Sequence, residues 1–247
     1  MENALLIGLS RQMALKNRMD VIANNMANVN TAGYKSDQLV FEEYLMPVAD
    51  ITDAPGADGQ LSYVYDAGVV RSFTAGSIEK SGNELDVAIS GDGWLSLDSS
   101  DGPRYTRNGQ LKIDNQGTLV TSEGVPVLGE GGPITFEPGN SNIVIADDGT
   151  ISTNQGVKGK LAIVRFENPS SLSKEGHSLY SSNDIPETDF DSRVLQGFVE
   201  KSNVQPVLEL TRLIETVRAY TSTSQTLQKT SELRSEAINQ LGGQDSA

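Results

Sequence analysis

The sequence predicts an α+β fold, mainly β, in which long N- and C-terminal helices pair and flank an extended segment and an antiparallel β-sandwich or barrel-like domain. Both ends of the 247-residue chain carry apolar residues at alternating steps of three and four. The middle carries short runs of period two, separated by turns rich in Gly, Asn and Asp. The expected division is 1–33 for the N-terminal helix, 34–80 for the connecting segment, 81–190 for the β domain and 191–247 for a linker and the C-terminal helix.

The N-terminal helix is predicted over residues 2–28, where Leu6, Leu9 and Met13 form one stripe. The pattern stops at 30–33, where Asn and Gly suit a left-handed cap. Amide side chains crowd the end of this helix, and two interpretations of them stay open. They terminate the helix by local bonding to the backbone, or they bond to neighbouring subunits and fix register. The apolar stripe continues at Leu15, Met19, Ile22, Met26 and Val29. The amides are Asn24, Asn25 and Asn28.

The C-terminal helix is predicted over residues 204–241, because no Gly or Pro interrupts the chain between Pro206 and Gly242. At ~1.5 Å per residue it is roughly 55 Å long, too long for a compact domain of this size. Its apolar stripe is too narrow to be buried alone, so it needs a partner, and the N-terminal helix is the expected one. The stripe consists of Leu210, Leu213, Val217, Tyr220, Ser224, Leu227, Ser231, Ile238 and Leu241.

Between the helices, residues 34–68 are predicted to be mixed and loop-rich, with a short helix at Glu42, Glu43 and Tyr44 and a flexible turn at 53–59. Short strands are expected from there onwards, since Asn-Gly and Asp-Gly turns separate runs of alternating hydrophobicity. Residues 179–198 are expected to be irregular. The strands are predicted at 87–89, 94–97, 110–113, 118–120, 125–128, 134–136, 143–145, 150–152 and 161–166.

The charge distribution separates the ends from the middle. Residues 1–33 hold three basic and two acidic side chains, a net charge of +1, and residues 200–247 hold five basic and six acidic, a net charge of −1. The whole formal charge of −14 therefore belongs to the middle. Near-neutral helices suit dense packing, and an acidic insert stays soluble. A phosphate backbone needs a basic surface, so we expect no nucleic-acid partner.

The sequence offers no constellation of catalytic residues and no ligand set for a metal or cofactor, so we expect neither catalysis nor a small-molecule substrate. There is no cysteine, and His177, the single histidine, lies in a polar stretch typical of an exposed loop. The chain shows neither a membrane-spanning run nor the pattern of a secretory signal, which by itself favours a cytoplasmic protein. An enzyme that uses His177 and an extracellular adhesin-type β module remain as alternative functions.

Three groups of residues resemble the motifs of bacterial flagellar rod and hook proteins. The segment ANNMANVNTAGYK at 23–35 is similar to their N-terminal motif, and QGFVEKSNV at 196–204, followed by RAY at 218–220, is similar to the opening of their C-terminal helix. The segments SGNELDVAI at 81–89, YTRNG at 105–109 and GTLVT at 117–121 match their first β domain. Trp94-Leu95 favours a proximal rod subunit, with a distal rod subunit as the nearest alternative.

The resemblance implies a structural subunit that polymerises through its terminal helices into a tube which transmits torque and exports protein. It implies export through the flagellar type III apparatus without a cleaved signal, which replaces the cytoplasmic expectation by a periplasm-spanning rod of the basal body. Other copies of the chain and other rod proteins are its expected partners. The residues expected at the assembly interface are Leu15, Met19, Ile22, Asn24, Asn25, Met26, Asn28, Val29, Leu210, Leu213, Val217, Tyr220, Ser224 and Leu227.

Overall fold

The structure is a computed structural model that describes residues 2–47, 60–176 and 178–242, with the side chains of 5–40, 68–176 and 178–240. The predicted turn at 53–59 and His177 lie outside the described residues, as does the side chain of Leu241. Two compact units divide the chain. The helical unit comprises 1–26, 37–70 and 206–247, and the β unit comprises 27–36 and 71–205.

The helical unit contains both predicted helices, α1 at Glu2–Ala27 and α2 at Pro206–Gly242. Proline fits the first position of α2 because its missing N–H has no partner in the first turn of a helix. The start of α1 lies against the second half of α2, where a Cβ on Gly8 would collide with the side chain of Leu227. The end of α1 and the first turns of α2 line one cavity. The two helices therefore run antiparallel.

Two long strands, β1 at Asp37–Pro47 and β2 at Gln60–Arg71, pair into a two-stranded sheet in the same unit. The predicted short helix at Glu42, Glu43 and Tyr44 is therefore wrong, because these residues lie within β1. Pairing with β2 gives the backbone of this segment its hydrogen bonds, so the neighbouring strand overrides the local helical preference.

The β unit is built from short strands and one 3-10 turn at Pro169–Ser171. Strands lie at many of the predicted positions, but the expectation of an irregular 179–198 is wrong, since four strands lie within or overlap that range. The strands are β3 Ile78–Lys80, β4 Val87–Ser90, β5 Trp94–Ser99, β6 Gly102–Thr106, β7 Leu111–Ile113, β8 Leu119–Thr121, β9 Leu128–Gly129, β10 Gly132–Pro133, β11 Val144–Ile145, β12 Thr150–Thr153, β13 Gly156–Lys160, β14 Ile163–Arg165, β15 Ser173–Lys174, β16 Leu179–Ser181, β17 Glu187–Thr188, β18 Arg193–Gln196 and β19 Phe198–Glu200.

These strands form several small antiparallel sheets, and no sheet closes into a barrel in the described ranges. The largest has six strands in the order β15-β16-β6-β5-β14-β17. A three-stranded sheet has the order β11-β12-β13, and two-stranded sheets pair β18 with β4 and β19 with β3. The predicted α+β class, mainly β, is confirmed.

Two apolar clusters hold the β unit together. The larger contains fourteen buried aliphatic and aromatic side chains contributed by strands from both halves of the unit. The smaller is aromatic, with Trp94 and Tyr180 in edge-to-face contact at 5.0 Å and Tyr105 and Phe166 at 4.8 Å between ring centroids. Every member of both clusters belongs to the β unit.

Candidate functional site

The predicted stripe of α1 divides into a packed face and an exposed face. Ile22 is buried together with Ala14, a residue that the pattern did not single out. The three residues of the first turns, Leu6, Leu9 and Met13, are each about half exposed. The remaining predicted positions are only partly buried, and these are Leu15, Met19, Met26 and Val29.

The face of α2 that packs in the helical unit is more polar than predicted. We call it the inner stripe, and its buried members are Glu209 and Thr216. The Glu209 carboxylate accepts from Arg212 at 2.6 Å, which satisfies it one turn along the same helix. Small and hydroxyl-bearing residues such as Gly8 and Thr216 allow the two helix backbones to approach closely. The partly buried members are Leu213, Tyr220, Thr223, Leu227 and Thr230, with Ser224 at its margin.

A second apolar stripe of α2 stays uncovered, and we call it the outer stripe. It consists of Val207, Leu210, Ile214 and Val217, which recur at steps of three and four. Leu210, Ile214 and Val217 are 48%, 47% and 44% exposed, and Val207 is more exposed still. Leu210 and Val217 thus belong to the stripe that faces away from the packed face. The single stripe predicted from the sequence is two stripes in the structure.

The threonines of α2 satisfy their own hydroxyl groups. Five of them donate to the carbonyl oxygen four residues earlier, at distances of 2.7–2.9 Å. A hydroxyl bonded in this way needs no water and no partner from another helix. These threonines can therefore be buried with only their methyl groups in contact with a neighbour. They are Thr211, Thr216, Thr221, Thr226 and Thr230.

The amides at the end of α1 have different environments. Asn25 is buried, and its side chain donates to the carbonyl oxygen of Asp37 at 2.8 Å and accepts from the N–H of Asp37 at 3.0 Å. Asn28 accepts from the hydroxyl of Thr31 at 3.2 Å, whereas Asn24 is exposed. Asn25 thus ties α1 to the start of β1 within one chain. The expectation that these amides bond to neighbouring subunits stays a prediction.

The β unit holds a buried ionic cluster, which we call the linker clamp. The Lys35 ammonium lies 2.7 Å from one Glu200 carboxylate oxygen, and an Arg107 nitrogen lies 3.5 Å from the other. The side chains of Lys35, Glu200 and Arg107 are 0%, 1% and 3% exposed. Arg107 also donates to the carbonyl oxygens of Ile89 and Gly91. The Glu200 carboxylate offsets part of the cost of burying two cations, and among the described residues the Arg107 Nε finds no hydrogen-bond partner.

The clamp joins the chain that enters the β unit to the chain that leaves it. The N–H of Gly33 donates to the Glu200 carbonyl oxygen at 2.8 Å. The Asn203 side chain accepts from the N–H of Ser36 at 2.8 Å and donates to the carbonyl oxygen of Ser72 at 2.8 Å. Glu200 also accepts from the N–H of Gly76 at 3.0 Å. The segments 33–36, 72–76 and 200–203 are therefore fixed to one another.

Burial lowers the pKa of both cationic members of the clamp. It lowers the pKa of Lys35 from its ordinary value, although the adjacent Glu200 carboxylate opposes that shift by charge and by hydrogen bonding. Burial likewise lowers the pKa of Arg107, against the attraction of Glu200 and Asp92. In both groups the desolvation cost exceeds the gain from the carboxylate. The clamp is therefore costly to break, since any member left alone would be a buried charge.

Glycine is required at position 33. Gly33 has a φ of +67°, and a Cβ there would collide with the backbone of Arg107 and Asn108. The left-handed conformation agrees with the predicted cap, although α1 ends earlier, at Ala27. The clamp itself was missed in the sequence because its members are far apart, 165 positions between Lys35 and Glu200. Their only signal was that each lies within one of the three motif regions.

The structure was also searched for a metal centre and for membrane helices. Within the described ranges, no group of three or more His, Asp or Glu side chains is placed to hold a metal ion. No helix in those ranges is long and apolar enough to cross a membrane.

Three family profiles match the chain. The profile described as flagella basal body rod protein matches residues 5–35, the flagellar hook protein FlgE/F/G D1 domain matches 88–153, and the flagellar basal body rod FlgEFG protein C-terminal matches 195–241. The first and third cover most of α1 and α2, and both include a member of the linker clamp. The second covers Arg107, the third member.

Similar whole proteins point the same way. The flagellar basal-body rod protein FlgF of Caulobacter vibrioides is 39% identical over 245 residues, which are 98% of this chain and 99% of that protein. FlgF of Mesorhizobium japonicum is 36% identical over 246 residues, again 98% and 99%. FlgG of Bacillus subtilis is 32% identical over 263 residues, 97% of this chain and 99% of that protein.

A β unit inserted between paired terminal helices, with matches in all three parts, defines a structural protein of the flagellar rod and hook class. The chain belongs to the flagellar basal-body rod protein family. Within the family it is FlgF-like, and the alternative of a distal, FlgG-type subunit is not favoured. The family is structural and is not an enzyme family.

Proposed function

We propose that this rod subunit polymerises through its terminal helices, with the inner stripe packed in its own helical unit and the outer stripe buried by helices of neighbouring subunits. The observation that supports this is the exposed outer stripe, because a soluble helix rarely leaves four aliphatic residues uncovered along one face. The exposed Leu6, Leu9 and Met13 of α1 add a second uncovered surface. The neighbours are copies of this chain and other rod proteins, proximal and distal.

The energy of such a contact is moderate for each residue. Full burial of a Val, Leu or Ile side chain is worth about 1.5–3 kcal/mol, so each half-exposed member of the outer stripe gains about 1 kcal/mol. The self-bonded Thr211 and Thr221, each one turn after a valine of the outer stripe, lose no hydrogen bond when water is removed. Several such contacts along the 37-residue helix add a few kcal/mol to the packing that it already has within its own chain.

The assembled subunits would form the wall of a rod that crosses the periplasm, transmits torque and leaves a channel for protein export. The subunit would reach that site through the flagellar type III apparatus without cleavage of a signal peptide. The membership of the family supports this role, as do the near-neutral termini, which can pack densely without repulsion.

The test replaces one residue of the outer stripe, Ile214→Asp, in a strain that lacks the native gene. A buried aspartate among apolar neighbours costs several kcal/mol, so we expect loss of the protein from purified basal bodies and loss of swimming. The matched control is Ser222→Asp, which adds the same charge at an exposed polar position of the same helix, outside the outer stripe. Immunoblots of basal bodies and swimming in soft agar provide the measurements.

The two variants separate assembly from folding. Circular dichroism and proteolysis of the purified proteins should show an intact β unit in both. Normal incorporation of the Ile214→Asp protein would contradict the proposal.

A further inference from the structure

One short segment of the β unit concentrates exposed apolar side chains. Ile185 and Phe190 are 93% and 81% exposed, more than any other large hydrophobic residue in the described part of the chain. They lie two residues before and two residues after β17. We call residues 184–191 the acidic edge segment. Two large apolar side chains this exposed within six residues make the segment a candidate for an interaction surface.

The acidic edge segment also contains an open strand edge. β17 is the last strand of the six-stranded sheet, paired only with β14 through Val164 with Thr188 and Arg165 with Glu187. Its other side faces no strand among the described residues. Proteins protect such edges by keeping them short, by charging them or by covering them. Here the edge is short and charged, yet its flanking Ile185 and Phe190 are uncovered.

The charge of this segment is one-sided. Residues 184–191 contain four acidic side chains and no basic one. Arg165, from the adjacent strand, contacts Glu187 at 3.3 Å and Asp191 at 3.5 Å, which leaves Asp184 and Asp189 outside that ion pair. A partner for the acidic edge segment must therefore present apolar surface beside positive charge.

The same unit carries a surface of that kind on the β12–β13 hairpin. Residues 150–160 contain two lysines and no acidic residue. Val157 is 71% exposed, third among the large hydrophobic residues of the β unit, and Lys158 follows it. Lys158 lies 3.6 Å from Glu137, and Lys160 lies 3.0 Å from Glu130. The Lys158 and Lys160 side chains are 17% and 34% exposed, and their carboxylate partners 75% and 56%. Pairs whose carboxylate lies in solvent are worth about 0–1 kcal/mol, so the ammonium groups can exchange partners at little cost.

We propose that the acidic edge segment of one copy docks on the β12–β13 hairpin of a second copy, with Phe190 and Ile185 against Val157 and the acidic side chains against Lys158. The two surfaces differ, so the contact is heterologous and each copy offers both halves. This inference rests on the proposed assembly through the helices, which brings the β units of neighbouring copies together.

The contact is small. It has three apolar anchors, and these bury far less than the roughly 1,200 Å² that a stable independent interface buries. It therefore forms only where another interface holds the copies together and raises their effective concentration. This contact alone should therefore not dimerise the purified subunit, and it should be present in assembled basal bodies.

The test places the photo-crosslinking residue p-benzoylphenylalanine at Phe190 in the full chain, expressed in place of the native protein. Basal bodies are purified, irradiated and analysed by denaturing gel and mass spectrometry. We expect a covalent dimer of this chain with its crosslink at residues 154–160. The control places the same residue at Glu123, an exposed position outside both surfaces, and should give no dimer. Adding Val157→Asp should lower the dimer yield at position 190 by about tenfold, the factor for about 1.4 kcal/mol.

The outcomes separate this inference from the assembly proposal. Basal bodies that contain the labelled protein but give no dimer would overturn the docking contact and leave helix-mediated assembly intact. A crosslink to a different protein would show that the partner is not a second copy of this chain. A crosslink to another part of this chain would show that the segment does not dock on the hairpin. The Ile214→Asp variant is a separate test. Its absence from basal bodies concerns assembly through the helices and does not bear on the docking contact.

Discussion

The two units of this chain solve the problem of stability in different ways. The β unit buries fourteen side chains in one cluster and pairs the buried Lys35 and Arg107 with Glu200 in the linker clamp. The helical unit packs along a stripe whose buried members on α2 are a glutamate and a threonine, and it leaves its best apolar residues uncovered. The contrast teaches that the β unit buries its apolar residues within one chain, whereas the helical unit leaves apolar residues exposed, as our assembly proposal requires.

The largest expected difference between the units is in hydrogen exchange of the free subunit. Amides of β4 and β18 should exchange at least about a thousandfold more slowly than those at 210–227, because only the β strands require global opening. Deuterium uptake followed by mass spectrometry measures both regions in one sample. Strong protection at 210–227 in the monomer would show that the helical unit is stable without neighbours.

The next effect comes from the linker clamp. Glu200→Ala leaves Lys35 and Arg107 buried without a carboxylate and should lower the free energy of unfolding of the β unit by about 3–5 kcal/mol. Glu79→Ala serves as the control, since Glu79 only forms an exposed pair with Lys201 at 3.7 Å and should cost less than about 1 kcal/mol. Chemical denaturation followed by tryptophan fluorescence reports on Trp94. Equal losses of unfolding free energy in both variants would show that the buried clamp stabilises the unit no more than an exposed ion pair does.

Truncation in the two units should also differ in size. Ile151→Ala removes a fully buried core side chain and should cost about 2–5 kcal/mol in the same unfolding measurement. Leu227→Ala, a matched truncation in the partly buried stripe of α2, should change the unfolding of the β unit by less than about 0.5 kcal/mol. A large effect of Leu227→Ala there would show that the two units unfold together.

The smallest effect is a pH dependence. Because the pKa of Lys35 is lower in the folded chain than its ordinary 10.5, the unfolded chain binds more protons at this site between the two values. Stability of the wild type relative to Lys35→Met should therefore rise with pH in that window, by at most about 1.4 kcal/mol per pH unit. Lys201→Met is the control with a more exposed amine. A relative stability that falls with pH would contradict the lowered pKa.

The helices were predictable because their three-and-four periodicity extends over many turns, and Pro206 marks the start of α2. The short β strands were predictable where Asn-Gly or Asp-Gly turns bound them. The pair β1 and β2 was missed, since its stability comes from pairing between strands that are separated by residues 48–59 in the sequence. The division of the α2 stripe was also missed, because residues one position apart, such as Thr216 and Val217, fit similar periodicities but lie on different faces.

The linker clamp could not be predicted from local patterns. Its members come from three separate parts of the chain, and only the fold brings Arg107 within 3.5 Å of Glu200, 93 positions away. Charge counts would place such residues on the surface, as most lysines and glutamates are. Lys35 and Glu200 are buried because the segments that enter and leave the β unit pack against each other at one site.

That shared site has an evolutionary consequence. The chain enters the β unit beside Lys35 and leaves it beside Glu200, so the whole unit behaves as an insertion closed at its base. Strands remote from the base can be lengthened, shortened or replaced in a descendant gene without moving the two points where the helices are attached. One helical scaffold can then carry inserts of different size, provided that each keeps the three charges, Gly33 and the hydrogen bonds of Asn203 and Gly76 at the base.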